Sequence, residues 1–220
     1  MNRRSIGAAC VVASPLVYEA TRFIWPKGSE GSVATQAAAA AASPGQWFTA
    51  GLLEAVSAWL LVPAAITVAS RLTGRGRALG LVAAVLATLS SFAFTGEAAV
   101  GGALTVMAGQ PDRARMVSLW TAVLGSGYLT FVVVLLFAGI LGQILLTWAA
   151  LRGGLVRWWV PALATVGAVV VTFAPDGVEG TTAALLYLPV LVAFGLFAAA
   201  LLGRSRERAA VAPDALPATA

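Results

Sequence analysis

The sequence predicts an all-α protein, a polytopic transmembrane helical bundle of six spans with both termini cytoplasmic. Three observations predict it. First, 60% of the 220 residues are hydrophobic and only 10% are charged, with a mean hydropathy of +0.89. A soluble domain carries about 25% charged residues, so this chain has too little polar material to coat a water-facing globule. Second, six apolar stretches each approach the roughly 20 residues a spanning helix needs. Third, the arginines fall mostly on one set of the connections between those stretches.

The spans are expected at 5–25, 47–70, 78–104, 124–150, 156–174 and 181–203, forming one domain over 1–203 with a disordered cytoplasmic tail over 204–220. The start, "MNRRSIGAAC", has a basic end and a cysteine after small residues, but lacks an apolar core of about 7–15 residues before any cleavage point. The run continues past Pro15 to Trp25, which fits an uncleaved first helix. After it, "SVATQAAAAAASPG" (32–45) starts at a serine suited to an N-cap and ends at Pro44–Gly45. It reads as a short alanine-rich helix lying on the outer face. Breaks at "RLTGRGR" (71–77), "AGQPDRAR" (108–115), "RGG" (152–154) and "PDGVEG" (175–180) separate the later spans.

Pro63, Pro161 and Pro189 fall inside predicted spans and remove backbone donors there, which membrane helices tolerate. The small residues of "GEAAVGGA" on the third span and "GSG" (125–127) at the start of the fourth predict close helix–helix contacts. The last stretch, "ERAAVAPDALPATA", has no amphipathic period and reads as disordered.

Charge sets the orientation. With the N-terminus inside, the inner side holds Arg3, Arg4, Arg71, Arg75, Arg77, Arg152, Arg157, Arg204, Arg206 and Arg208. The outer side holds Arg22, Lys27, Arg113 and Arg115. That asymmetry follows the positive-inside rule. Trp25 and Trp47 then mark the outer interface, and Trp148, Trp158 and Trp159 the inner one. The expected location is the inner (cell) membrane of a bacterium, with the lipid bilayer as solvent and no nucleic-acid partner. Thirteen arginines against one lysine, with abundant alanine, glycine and valine, indicate a GC-rich genome.

Several chemistries are excluded. The chain has no histidine, which removes His-ligated haem, His-based zinc sites and His general bases. One cysteine, Cys10, makes neither an internal disulfide nor a cysteine metal cluster. Walker, HExxH and GxSxG motifs are missing, as are the aspartate-rich motifs that hold magnesium–diphosphate. No metal or cofactor is expected. The two halves show no internal repeat of the kind inverted-repeat carriers display.

Three carboxylates remain inside the spans: Glu19, Glu54 and Glu97. At 1.5 Å per residue they lie about 9–10 Å below the outer ends of the first three helices. A charge at the bilayer centre costs about 2.5–3.5 kcal/mol on insertion scales, less nearer the interface. These side chains are therefore expected to face the bundle interior in one layer of the outer half. Expected neighbours are Tyr18, Ser57, Thr95, Tyr128 and Tyr187. Arg22 follows Glu19 by three positions and can pair with it along the helix.

One reading is purely structural: Glu19–Arg22 as an interfacial ion pair, with Glu54 and Glu97 protonated and hydrogen-bonded between helices. The other is an outward-opening cavity with a function. The quoted motifs bear on this choice only broadly. "FIWPKG", "SPGQWFTAGLL", "LVPAAITVASRLTGRGRALGLVAAVLA", "DRARMVSL" and "VRWWVPALATVGAV" give a layout that resembles a broad group of uncharacterised six-helix integral membrane proteins of high-GC bacteria. The resemblance implies six helices and no particular activity.

Three functions compete at this level. The first is a proton- or cation-linked permease or export component for a small amphipathic molecule, working as a homo-oligomer and exchanging protons on Glu54 and Glu97. The second is a metal-independent membrane enzyme acting on an isoprenoid or lipid. There a buried glutamate would be the general acid, with Trp120, Tyr128 and Phe131 stabilising a carbocation. The third is a non-catalytic accessory subunit packed on another membrane protein.

Overall fold

The computed structural model describes residues 3–27, 29, 32–172 and 180–211. Among them it contains eight α-helices and no strand. They are α1 (Arg3–Thr21), α2 (Val33–Ala42), α3 (Pro44–Ala69), α4 (Gly74–Ala108), α5 (Arg113–Gly125), α6 (Tyr128–Arg152), α7 (Trp159–Thr172) and α8 (Gly180–Val211). Four helices are long and apolar enough to cross a membrane: α3, α4, α6 and the Leu185–Gly203 part of α8. The apolar parts of α1 (Ile6–Thr21) and α7 (Trp159–Val170) are shorter. Residues 173–179, which hold most of "PDGVEG", and 212–220 of the expected tail lie outside the described residues.

Local chemistry accounts for the helix ends. Ser32 caps α2 by accepting from the Thr35 backbone N–H at 3.3 Å, as an N-cap serine should. Pro44 then occupies the first turn of α3, where a missing donor costs nothing. Pro161 likewise sits in the first turn of α7 and not within a span interior, so it bends nothing. Pro15, Pro63 and Pro189 are the prolines inside helices.

The segment between the third and fourth spans differs from expectation. Asp112 accepts from the Arg115 N–H at 3.1 Å and starts a separate helix, α5. The expected span at 124–150 therefore begins at Tyr128. Between the two helices Gly127 takes a left-handed φ of 63°, a conformation that costs glycine little. A Cβ on Gly125 or Gly127 would meet nothing within 4 Å. The "GSG" tripeptide is thus a break between two helices, not a packing contact.

Six of the helices close a ring in the order α1–α3–α4–α6–α7–α8, each touching the next and α8 returning to α1. The two ends of the ring differ. At one end Val11, Leu61, Val68, Ala83, Leu146, Phe194 and Phe197 form a solid apolar core. At the other, α2 and α5 fold over the end of α4, burying Ala40, Trp47, Leu104, Ala108 and Trp120 as a separate cap cluster. The carboxylates of α3 and α4 lie between the core and the cap.

Lipid tails are as apolar as leucine, so close packing and not water exclusion holds such helices together. Gly142 shows this between α4 and α6. A Cβ there would lie 3.1 Å from Leu86 Cβ and 3.2 Å from the Ala83 carbonyl oxygen. Gly142→Val is expected to cost ~1–3 kcal/mol through overpacking, read as a lower unfolding midpoint in detergent. Gly195→Val, where a Cβ meets open space, is the control and should stay within about 0.5 kcal/mol of the parent.

Candidate functional site

The ring encloses a cavity of about 270 Å³ to which all six helices contribute. α1 supplies Ser14, Pro15 and Tyr18, residues spaced to share one helix face, with Arg22 just beyond the helix end. A second cavity of about 280 Å³ lies under the cap, bounded by Trp25, Gln36, Trp47, Trp120 and Tyr128. Glu54 and Glu97 line both. The carboxylates expected in the third and fourth described helices therefore share one space and stand at the junction of its two chambers.

Glu54 is held by a residue expected only as an interface marker. α1 stops at Thr21, whose carbonyl accepts from both the Ile24 and Trp25 N–H groups at 2.8 Å. That turn swings Trp25 back over α3, and its indole N–H donates to Glu54 Oε1 at 2.8 Å. Trp25 also stands edge-on to Trp47, with ring centroids 5.0 Å apart. The Thr21 hydroxyl lies 3.4 Å from the same oxygen but only 2.6 Å from the Tyr18 carbonyl. Its single proton goes to the nearer acceptor. Trp25 is therefore the working donor.

Glu97 differs. It is exposed to the hollow rather than packed, and it makes no hydrogen bond or ion pair with a described residue. Beside it on α4, a Cβ on Gly96 would lie 3.4 Å from the Tyr128 hydroxyl, and one on Gly101 3.3 Å from the Trp47 indole nitrogen. Both of those polar atoms are buried and unpartnered. The small residues of "GEAAVGGA" therefore make room for polar side chains of α3 and α6 as much as for backbone.

Other expected members fall differently. Glu19 is buried at 6% exposure and pairs with Arg22 at 3.5 Å. It lines neither cavity. The expected layer of three converging carboxylates is in fact a pair lining the cavities, with the third paired to Arg22 in the turn just after α1. Arg22 also places its guanidinium 5.8 Å from the Tyr18 ring centroid. Tyr18 and Tyr187 line the central cavity with their rings 5.6 Å apart.

Ser57 lines the cavity wall, but its hydroxyl donates to the Ser14 carbonyl at 2.7 Å while Ser14 returns the bond to the Ser57 carbonyl at 2.9 Å. This is a clamp between α1 and α3. Thr95 lies outside the site. It accepts from the Trp59 indole at 2.8 Å on the exposed side of the bundle and donates to the Ser91 carbonyl. Two residues along a helix turn the side chain by about 200°, so Thr95 and Glu97 cannot face the same way. Phe131 is 61% exposed and also lies outside.

Trp120 and Tyr128 do line the chamber under the cap, and the Trp120 indole donates to Gln36 Oε1 at 3.3 Å, tying α5 to α2. No family model matches the chain, and no characterised protein or solved structure is similar to it at a significant level. The Trp25–Glu54 contact has a direct check. A double-mutant cycle with Trp25→Phe and Glu54→Gln, read by unfolding in detergent, should give a coupling of ~0.6–1.7 kcal/mol, the range of hydrogen bonds inside membranes. Additive effects would contradict the bond.

Proposed function

We propose that the protein is a multi-pass membrane permease or export component that moves a small amphipathic cationic molecule through the ring, exchanging protons on Glu54 and Glu97. The observation that supports this most directly is that both carboxylates line both chambers. A carboxylate at such a junction has two competing occupants, a proton and a cation, and each displaces the other. That competition is the minimal requirement for coupling a cation's movement to a proton gradient.

The membrane topology in this reading has six spans, with α1 and α7 joining the four longer helices. Both termini are cytoplasmic, and the cap of α2 and α5 lies outside, in a bacterial cell membrane. The arginine asymmetry supports that orientation. The bilayer is the solvent, and a homo-oligomer is the expected assembly because six helices are few for a carrier acting alone.

The enzyme reading gains less from the geometry. Its general acid would be Glu54 or Glu97, but Phe131 lines neither chamber. The scaffold reading predicts aliphatic packing around neutralised acids, whereas Glu97 has no described partner.

In proteoliposomes, an imposed pH gradient should drive uptake of a small amphipathic amine by the parent protein. Glu97→Gln and Glu54→Gln should each reduce that flux at least about tenfold, because a neutral amide neither exchanges a proton nor attracts a cation. Unfolding midpoints near the parent value would show that the fold survives. Normal flux in the double glutamine variant would refute the reading.

A further inference from the structure

We infer that the chamber under the cap is a binding site for a quaternary ammonium that also carries a hydrogen-bond acceptor, seated against Glu97 and between Trp25, Trp47, Trp120 and Tyr128. This names a substrate class for the passage proposed above. It rests on that reading only in requiring that the chamber be reached from solution.

The first support is charge. Among the described residues two carboxylates, Glu54 and Glu97, line this chamber and no arginine or lysine does. Arg22 faces the central cavity and is paired with Glu19. Glu54 already accepts from Trp25, so the unsatisfied negative group is Glu97. A cation is the ligand that such a wall selects.

The second support is the material of the rest of the wall. Three indoles and a phenol surround a volume of about 280 Å³. A primary ammonium is strongly hydrated and needs several acceptors to replace its water. A quaternary ammonium has no N–H to satisfy and spreads its charge over methyl groups, which aromatic side chains attract through their quadrupoles. An aromatic wall with one free carboxylate suits the second kind of cation and not the first.

The third support is the unmet donors. The Trp47 indole nitrogen is in a residue only 5% exposed, lines the chamber and has no acceptor; the Tyr128 hydroxyl is likewise buried and unpartnered. Buried polar groups are ordinarily satisfied. Their neighbours Gly96 and Gly101 are five residues apart on α4, about 7.5 Å along the helix axis. With the cation at Glu97, beside Gly96, an oxygen acceptor a few atoms away on the ligand reaches towards Trp47.

Equilibrium binding to the purified full-length protein in nanodiscs, read by intrinsic tryptophan fluorescence, tests this with three probes. Acetylcholine has both charge and acceptor, tetramethylammonium the charge alone, and 3,3-dimethylbutyl acetate the same shape without charge. The expected order of affinity is acetylcholine, then tetramethylammonium, then the neutral ester, with about tenfold or more between the first and the last. Glu97→Gln should lose about tenfold for both cations, and Trp47→Phe should narrow the gap between acetylcholine and tetramethylammonium.

Equal binding of the neutral ester, or no saturable binding of any probe, overturns the inference on parent protein alone, whatever the variants do. Amine flux that depends on Glu54 and Glu97 without quaternary binding would overturn this site while leaving the carrier reading in place. Quaternary binding with flux indifferent to both glutamates would do the reverse.

Discussion

A carboxylate that enters a lipid-embedded bundle without a cation to pair with must be given a polar space, and that requirement shapes the capped half of this protein. Glu19 escapes it by pairing with Arg22, three residues on in the turn that follows α1. Among the described residues Glu54 and Glu97 have no such counter-ion. The ring of α1, α3, α4, α6, α7 and α8 stays open where they stand and closes into solid aliphatic and aromatic packing away from them. The hollow and the acids go together. Filling the space with apolar side chains would leave at least one acid without solvation, at a cost several times that of losing a single packing contact.

The cap follows from the same requirement. A hollow with acidic walls at the end of a bundle would stand fully open without α2 and α5 above it. The Trp120–Gln36 bond joins those two helices, and Trp47 roots the cluster in α3. Trp25, turned back by the backbone bonds to Thr21, satisfies Glu54 from above. Four aromatic side chains thus line one chamber, each with a polar donor: Trp25 gives its own to Glu54 and Trp120 to Gln36, while those of Trp47 and Tyr128 are unpartnered. The polar groups of this end are distributed unequally: Glu54 is served by its own chain, while Glu97, Trp47 and Tyr128 are left with something still to bind.

Much of this was legible in the residues, and the losses have physical causes. Composition and run length place α3, α4, α6 and α8 closely, because a helix of about 20 apolar residues leaves few alternatives. Ser32 and Pro44 mark α2 and the start of α3 for the same local reasons that the structure displays. What the sequence conceals is rotation. A helix apolar on every side, facing lipid outward and packed residues inward, carries almost no moment to say which face looks in. Depth alone therefore groups Thr95 with Glu97, although about 200° of helix rotation separates their directions. It likewise groups Glu19 with two carboxylates whose cavities it does not line. α5 leaves no separate signal because its apolar residues run on towards α6 and mask the helix break at Gly127, where φ is 63°. Trp25 reads from sequence only as an interface anchor, because a donor reaching back across a turn leaves no periodic trace.

The claim on which the whole account stands is that residues 54 and 97 open into one common space. Cross-linking tests it most directly. In a Cys10→Ser background, Glu54→Cys and Glu97→Cys together should be bridged within one chain by a short bifunctional thiol reagent, as intact-mass measurement would show. Leu52→Cys with Phe92→Cys, both on the exposed side of the bundle, should take up reagent singly and not be bridged. Two thiols at 54 and 97 that react separately, and are never joined by reagents of any short length, would contradict the shared cavity.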